Sequence, residues 1–180
     1  MDIEKEENKL IKSKILQAKL VYLIICNVPV CFFLCIASSI SGVTDITKGV
    51  VTISLNEIVW LNFLYNFIVS FICAMTIGML VPLTDIGRWF TSLFKVDNKT
   101  YTHNMPYRLL ATLIITCIYY AGITPVSTIF NVFILKSMTL EQSFISWIIN
   151  IPLMLLVGFV SSLISDIAAY KIAHSIDNNF

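Results

Sequence analysis

Residues 58–84 read IVWLNFLYNFIVSFICAMTIGMLVPLT, an uncharged run of 27 residues bounded by Glu57 and Asp85. An α-helix of about 20 apolar residues crosses the hydrocarbon core of a bilayer, and a charge at its centre costs several kcal/mol. The run is long enough to span. Three others match it, at 20–44, 109–135 and 142–165, with 25, 27 and 24 uncharged residues. The chain therefore reads as an all-α, polytopic membrane protein with four transmembrane helices. Composition agrees: 57% of residues are hydrophobic and 13% charged, about half the charge of a soluble domain. Four spans and their connections occupy nearly all of the 180 residues, which leaves no room for a separate soluble domain. The lipid bilayer is the partner this composition demands; no nucleic-acid partner is expected.

Basic residues set the orientation. Lys5, Lys9, Lys12, Lys14 and Lys19 precede the first span, Arg88, Lys95, Lys99 and Arg108 lie between the second and third, and Lys171 follows the fourth. The other two loops carry only Lys48 and Lys136. Short loops rich in Lys and Arg stay in the cytoplasm, so both termini and the middle loop are expected inside the cell. Trp60 and Trp147 then fall near the outer surface, and Tyr22, Trp89, Tyr107 and Tyr170 near the inner one, where amphipathic rings favour the headgroup layer. The first apolar run exceeds the roughly 7–15 residues of a signal peptide, and the tail before it is long and acidic at its start. It is expected to remain rather than be cleaved after Ala37-Ser38-Ser39.

The second and fourth spans align at an offset of 84 residues, pairing Asn66 with Asn150, Ala74 with Gly158 and Gly78 with Ser162. Ser54-Leu55-Asn56-Glu57 and Thr139-Leu140-Glu141-Gln142 both read as capping boxes, in which a hydroxyl and a later side chain satisfy the first free amides of a helix. Asp85-Ile86-Gly87-Arg88-Trp89 and Asp166-Ile167-Ala168-Ala169-Tyr170 correspond at the inner ends. The first and third spans match poorly. The chain thus divides into an amphipathic cytoplasmic lead-in (1–19), a two-helix repeat with an interfacial helix (20–95), a cytoplasmic linker (96–108), a second two-helix repeat (109–172) and a tail (173–180). A repeat of two spans enters and leaves on one side, so the copies would be parallel, about an axis along the membrane normal. Two hairpins can equally form a plain four-helix bundle. Ser70, Ala74, Gly78, Gly158 and Ser162 make stripes of small residues that let helix backbones approach in lipid.

At about 1.5 Å of rise per residue, Asn66, Asn150, Tyr119 and Tyr120 fall near the middle of the bilayer, with Asn27 closer to the inside. Pro29, Pro125 and Pro152 free backbone carbonyls in their spans. These amides and hydroxyls can bond between helices, for about 0.6 kcal/mol each and seldom beyond 2; the sharper reading is a polar midplane site for a small neutral or amphipathic ligand. No Asp, Glu, His, Lys or Arg is expected deep in a span, which argues against a proton antiporter of the small multidrug type. Asp166 is expected to be a solvated charge at a helix end, and His103 and His174 to be cytoplasmic. Cys26, Cys31, Cys35, Cys73 and Cys117 lie within spans as small apolar groups, with no metal-site spacing. No metal or cofactor is expected.

Between Pro82 and Asn98, Ile86, Trp89, Phe90, Leu93 and Phe94 gather on one helical face. Asp85 would cap the start and Arg88 and Lys95 flank the stripe, the pattern of an amphipathic helix lying in the inner leaflet. Gly78 and Pro82 favour a bend before it. Residues 2–19 run from acidic to lysine-rich, with Ile11, Ile15 and Ala18 on one side, which suits the helix dipole and anionic headgroups. The sequon Asn98-Lys99-Thr100 is expected on the cytoplasmic side and so unglycosylated.

Asn27-Val28-Pro29-Val30, Phe63-Leu64-Tyr65-Asn66-Phe67 and Ile77-Gly78-Met79-Leu80-Val81-Pro82 together resemble small bacterial inner-membrane proteins built on a two-helix domain of unknown function (domain of unknown function 2798 type), which some members carry twice. The resemblance covers residues 20–95 and, more loosely, 106–172. It implies a tandem hairpin in a bacterial plasma membrane and no particular activity. The reading as a whole is a non-enzymatic membrane component, an accessory subunit of a membrane-protein partner or a self-associating homo-oligomer. Its rival is a small transporter or channel that uses the polar layer of Asn27, Asn66, Tyr119, Tyr120 and Asn150.

Overall fold

Four helices of the structure are long and apolar enough to cross a membrane, within 11–40, 60–80, 105–134 and 140–176. This computed structural model describes residues 2–55, 57–96 and 105–176, with residues 2–10 as backbone only. Helix α1 (Asp2–Ile40) leads into strands β1 (Ser41–Thr47) and β2 (Val50–Leu55). Then come α2 (Trp60–Leu80), the short α3 (Leu83–Leu93), α4 (Met105–Ile129) with a π-helical turn at Phe130–Ile134, and α5 (Leu140–Ile176). The sequon at 98–100, Lys99 and His103 lie outside the described residues.

α1 packs on α2 and α5, and α4 packs on the same two helices. The four long helices thus form a square, ordered α1–α2–α4–α5. The start of α1, the end of α5 and α3 lie at one end of it, the terminal end. The β-hairpin and the 135–139 turn lie at the other, the hairpin end. The α1–α5 contact is the most extensive in the molecule, and small side chains permit it: Ala18, Cys31, Ala169 and Ala173 are completely buried. Ser70, Ala74 and Gly78 are the buried face of α2, apart from Phe63 near its start. Gly158 is buried in α5, and Ser162 beside it is half-buried.

The hairpin corrects the expectation of a bare loop and a purely helical chain. α1 stops at Ile40, where the Ser41 hydroxyl donates to the Ala37 carbonyl (2.7 Å), and the β-branched residues that follow pair as antiparallel strands. Thr47 faces Val50 across a two-residue turn, Lys48-Gly49, with φ of 51° and 81°. Two positive φ values give the turn whose twist suits a hairpin. Pairing also takes Ser54 and Leu55 into β2, so the first expected capping box does not form. Asn56 lies outside the described residues, and α2 starts at Trp60 without a side-chain cap. The second box is made in full: the Thr139 amide donates to Gln142 Oε1 (3.0 Å) and the Gln142 amide to Thr139 Oγ1 (3.2 Å).

The chain bends after α2 at Val81-Pro82, where Val81 is extended (ψ 132°). Gly78 takes no part in the bend; it is a contact residue. α3 lays Gly87 and Thr91 on α4 and leaves Trp89, Leu93 and Phe94 exposed, with Ile86 and Phe90 half-buried. A single apolar stripe is thus divided between α4 and the surroundings. Asp85 is not the cap: it sits inside the first turn and pairs with Arg88 at 2.8 Å.

A Cβ on Gly78 would lie 2.5 Å from Leu23 Cδ2 and 2.9 Å from the Tyr119 hydroxyl, whereas one on Gly87 would meet Ala111 Cβ at 3.4 Å. Gly78→Leu is therefore expected to cost about 1–3 kcal/mol by overpacking, seen as a lower melting temperature in detergent, while Gly87→Ala leaves it nearly unchanged.

Candidate functional site: a polar cavity and a buried ion pair

Toward the hairpin end the square encloses a cavity of about 140 Å³ lined by seventeen residues, none charged. Each long helix contributes polar groups to its wall: Ser38 from α1, Asn66 and Ser70 from α2, Tyr120, Thr124 and Ser127 from α4, and Ser146 and Asn150 from α5. Asn131 joins them from the π-helical turn. Among the lining residues Ser38 and Met138 are exposed, and both lie toward the hairpin end, so the cavity opens on that side.

The wall is organised by two amides. Asn131 Nδ2 donates to Asn66 Oδ1 at 2.6 Å, and Asn66 Nδ2 returns a bond to Asn131 Oδ1 at 3.2 Å. Asn66 also donates to the Asn62 carbonyl (2.9 Å) and accepts from Ser127 (3.3 Å). Ser137 Oγ donates to Asn131 Oδ1 at 3.2 Å. The π turn inserts part of a residue into the helical cycle and so re-aims the side chain it carries; such turns concentrate at functional sites. On the far wall Tyr120 donates to the Trp147 carbonyl (3.0 Å), Asn150 to Ser146 Oγ (3.0 Å), and Ser143 to Thr128 (3.2 Å). The indole nitrogen of Trp147 is buried and meets no acceptor among the described residues.

Of the five residues read as one polar layer, Asn66, Tyr120 and Asn150 line the cavity. Asn27 and Tyr119 do not. They lie on the terminal side of it, with Asn27 Nδ2 at 3.8 Å from the sulfur of Met75 and the Tyr119 hydroxyl against Gly78. Neighbouring positions on a helix point about 100° apart, so Tyr119 and Tyr120 face different partners. Asn131 and Ser127 were not singled out in the sequence. Their spacing of four residues in an uncharged run was the available signal, and only the π turn gives it meaning.

At the terminal end lies a correction. Asp166 is not solvated: it is 5% exposed and Arg108 8%. The Tyr22 hydroxyl donates to Asp166 Oδ1 at 2.5 Å and Arg108 Nη2 to Oδ2 at 3.3 Å. The reason is length. α5 continues to Ile176, α1 starts at Asp2 and α4 at Met105, so this level is flanked on three sides by helix rather than water. His174, by contrast, is exposed and stacks on Tyr170.

Polar side chains approach the carbonyls next to those the prolines free. Ser165 Oγ, which donates to the Ser161 carbonyl of its own helix (2.7 Å), lies 3.4 Å from the Cys26 carbonyl, one residue beyond the carbonyl that Pro29 leaves free, and Cys73 Sγ donates to the Gly122 carbonyl (3.7 Å), one beyond that freed by Pro125. In lipid such groups must be met by neighbouring helices. Among the described residues no group of three or more His, Cys, Asp or Glu could hold a metal ion.

Fold and site define a multi-pass helical membrane protein with a polar cavity at one end and a buried ion pair at the other. Comparison with models of protein families, with curated proteins and with solved structures finds no match to this chain.

Removing one partner of a buried ion pair costs about 3–5 kcal/mol because the other charge is left uncompensated. Asp166→Asn is expected to show a loss of that size in detergent unfolding, and the Arg108→Met/Asp166→Leu double variant to recover most of it. Tyr22→Phe, which removes one hydrogen bond to a charged group, should lose about 1.5–3 kcal/mol.

Proposed function

We propose that this protein is a non-enzymatic carrier of small solutes in a bacterial plasma membrane, loaded from the outer face. The cavity carries the reading. Helix bundles in lipid gain from close packing and lose by leaving polar groups around a void, so an uncharged polar cavity built from four helices is a binding site before it is a structural device. An enzymatic role has no support comparable to it.

The charge bias supports an orientation with the terminal end in the cytoplasm: ten Lys and Arg lie in the segments of that end and two, Lys48 and Lys136, at the hairpin end. The cavity then opens outward, and the pair of Arg108 with Asp166 closes the cytoplasmic side. Descent from two copies of one hairpin is part of the same reading. It is supported by the square order, in which a half-turn exchanges α1 with α4 and α2 with α5. It is also supported by the carbonyls next to those the prolines free, which a side chain of α5 approaches on α1 and one of α2 approaches on α4.

Two measurements test this. A membrane-impermeant maleimide should label Lys48→Cys in intact cells and Lys95→Cys only after permeabilisation; the reverse pattern turns the cavity to the cytoplasm. In proteoliposomes, uptake of labelled small solutes should exceed that of empty vesicles and fall at least tenfold with Asn66→Leu/Asn150→Leu while the protein stays folded. No uptake, together with recovery of a stoichiometric membrane partner, would leave an accessory subunit in its place.

A further inference from the structure

We infer that the cavity takes a small neutral amide, a molecule of about six non-hydrogen atoms or fewer that offers a carbonyl acceptor beside an N–H donor. The inference rests on the carrier reading and narrows it to a substrate class.

Size comes first. The cavity measures about 140 Å³, and an engineered cavity of about 150 Å³ in another protein holds one benzene molecule. A sugar or an amino acid with a large side chain does not fit.

Charge comes second. None of the seventeen lining residues carries a charge at neutral pH; the phenol of Tyr120 and the thiol of Cys35 are the groups among them that can ionise at all, and both are neutral there. The Arg108–Asp166 pair is remote: Asp166 lies sixteen residues along α5 from Asn150, about 24 Å at 1.5 Å per residue. An ion entering the cavity would lose its hydration and find no counter-charge, a cost of many kcal/mol. The site selects against ions.

Hydrogen bonding comes third and selects the functional group. Asn66 and Asn131 face each other as two primary amides exchanging N–H···O bonds of 2.6 and 3.2 Å. That reciprocal pair is the arrangement an amide solute would make with either residue, and the residue it displaces keeps partners of its own: the Ser127 carbonyl and Ser137 hydroxyl for Asn131, the Asn62 carbonyl and Ser127 hydroxyl for Asn66. A site built to hydrogen-bond a group rejects analogues lacking it far better than an apolar pocket rejects an extra methylene. Trp147 also lines the cavity, and its indole N–H is buried without an acceptor among the described residues. The remaining wall, with Leu34, Ile123 and Met154, accommodates a methyl or ethyl group better than a third or fourth hydroxyl.

The test uses the full-length protein with acetamide, glycerol and acetate as probes of nearly matched size. With Trp60→Phe and Trp89→Phe in place, Trp147 is the remaining tryptophan, and its emission is titrated in detergent. Labelled uptake is measured in parallel in proteoliposomes. Acetamide is expected to give a saturable change in emission and uptake above empty vesicles. Glycerol should be at least tenfold weaker and acetate without effect. Asn66→Leu/Asn131→Leu, which replaces both halves of the amide pair, should abolish the acetamide response while the protein stays folded. Saturable acetamide binding without uptake upholds the amide class and overturns the carrier reading. Uptake of glycerol or acetate but not acetamide does the opposite. Silence from all three probes overturns both.

Discussion

Three helices meet on the carboxylate of Asp166, and the terminal half of the bundle depends on that meeting. Tyr22 reaches it from α1 and Arg108 from α4, while α5 supplies it. A buried carboxylate is tolerated only where charge and hydrogen bonds replace its lost hydration, so the three helices must be in register for any one of them to stay packed there. The small residues follow from the same demand. α1 and α5 can bring Tyr22 within bonding distance of Asp166 because Ala18, Ala169 and Ala173 around that level hold nothing that would keep the backbones apart. α2 is tied elsewhere, through Gly78 beneath Leu23 and Tyr119 and through Asn66 to Asn131.

Much of this was legible in the chain, and the parts that were not have physical reasons. Four uncharged runs longer than a bilayer is thick allow few alternatives, and the reciprocal bonds of Thr139 with Gln142 follow from residue type and spacing alone. Ser54 to Glu57 has the same pattern, and there a non-local competitor won: pairing with β1 takes its first residues, and local propensity yields to tertiary context. Asp166 misled because an ionisable residue at the edge of an apolar run is solvated unless a neighbouring helix extends past it. Whether one does depends on the lengths of α1 and α4, not on anything near Asp166. The cavity was half visible. Asn66, Tyr120 and Asn150 could be placed by rise per residue, but Asn131 sits where regular helical counting fails, and Asn27 and Tyr119 were assigned to the layer by depth when direction separates them.

The prolines join the two ends of the molecule. Each proline in α1, α4 and α5 interrupts its helical ladder, and where it does so in α1 and α4 a side chain from the neighbouring helix approaches a nearby carbonyl. A helix interrupted in this way bends more readily than an intact one. Pro125 and Pro152 lie beside residues of the cavity wall, Thr124 and Met154, and Arg108 and Asp166 lie 17 and 14 residues farther toward the terminal end. The points of weakness are therefore at the cavity, and the ion pair sits at the end of two long levers.

That arrangement decides how a carrier built this way would move. Ser143 with Thr128 and Tyr120 with the Trp147 carbonyl hold α4 and α5 together at the hairpin end, whereas at the terminal end a 3.3 Å ion pair joins them among the described residues. Over the lever from Pro125 to Arg108, about 25 Å at 1.5 Å per residue, a bend of about ten degrees displaces the guanidinium by about 4 Å. That is enough to part it from the carboxylate and leave the bonds at the hairpin end intact. Tyr22 makes the separation selective. Its bond to Asp166 at 2.5 Å is shorter than the 3.3 Å ion pair with Arg108, so the carboxylate stays with α1 and α5 while α4 departs. On the carrier reading, α1 and α5 are the fixed half of the bundle, and access from the cytoplasm opens between α5 and a swinging α4.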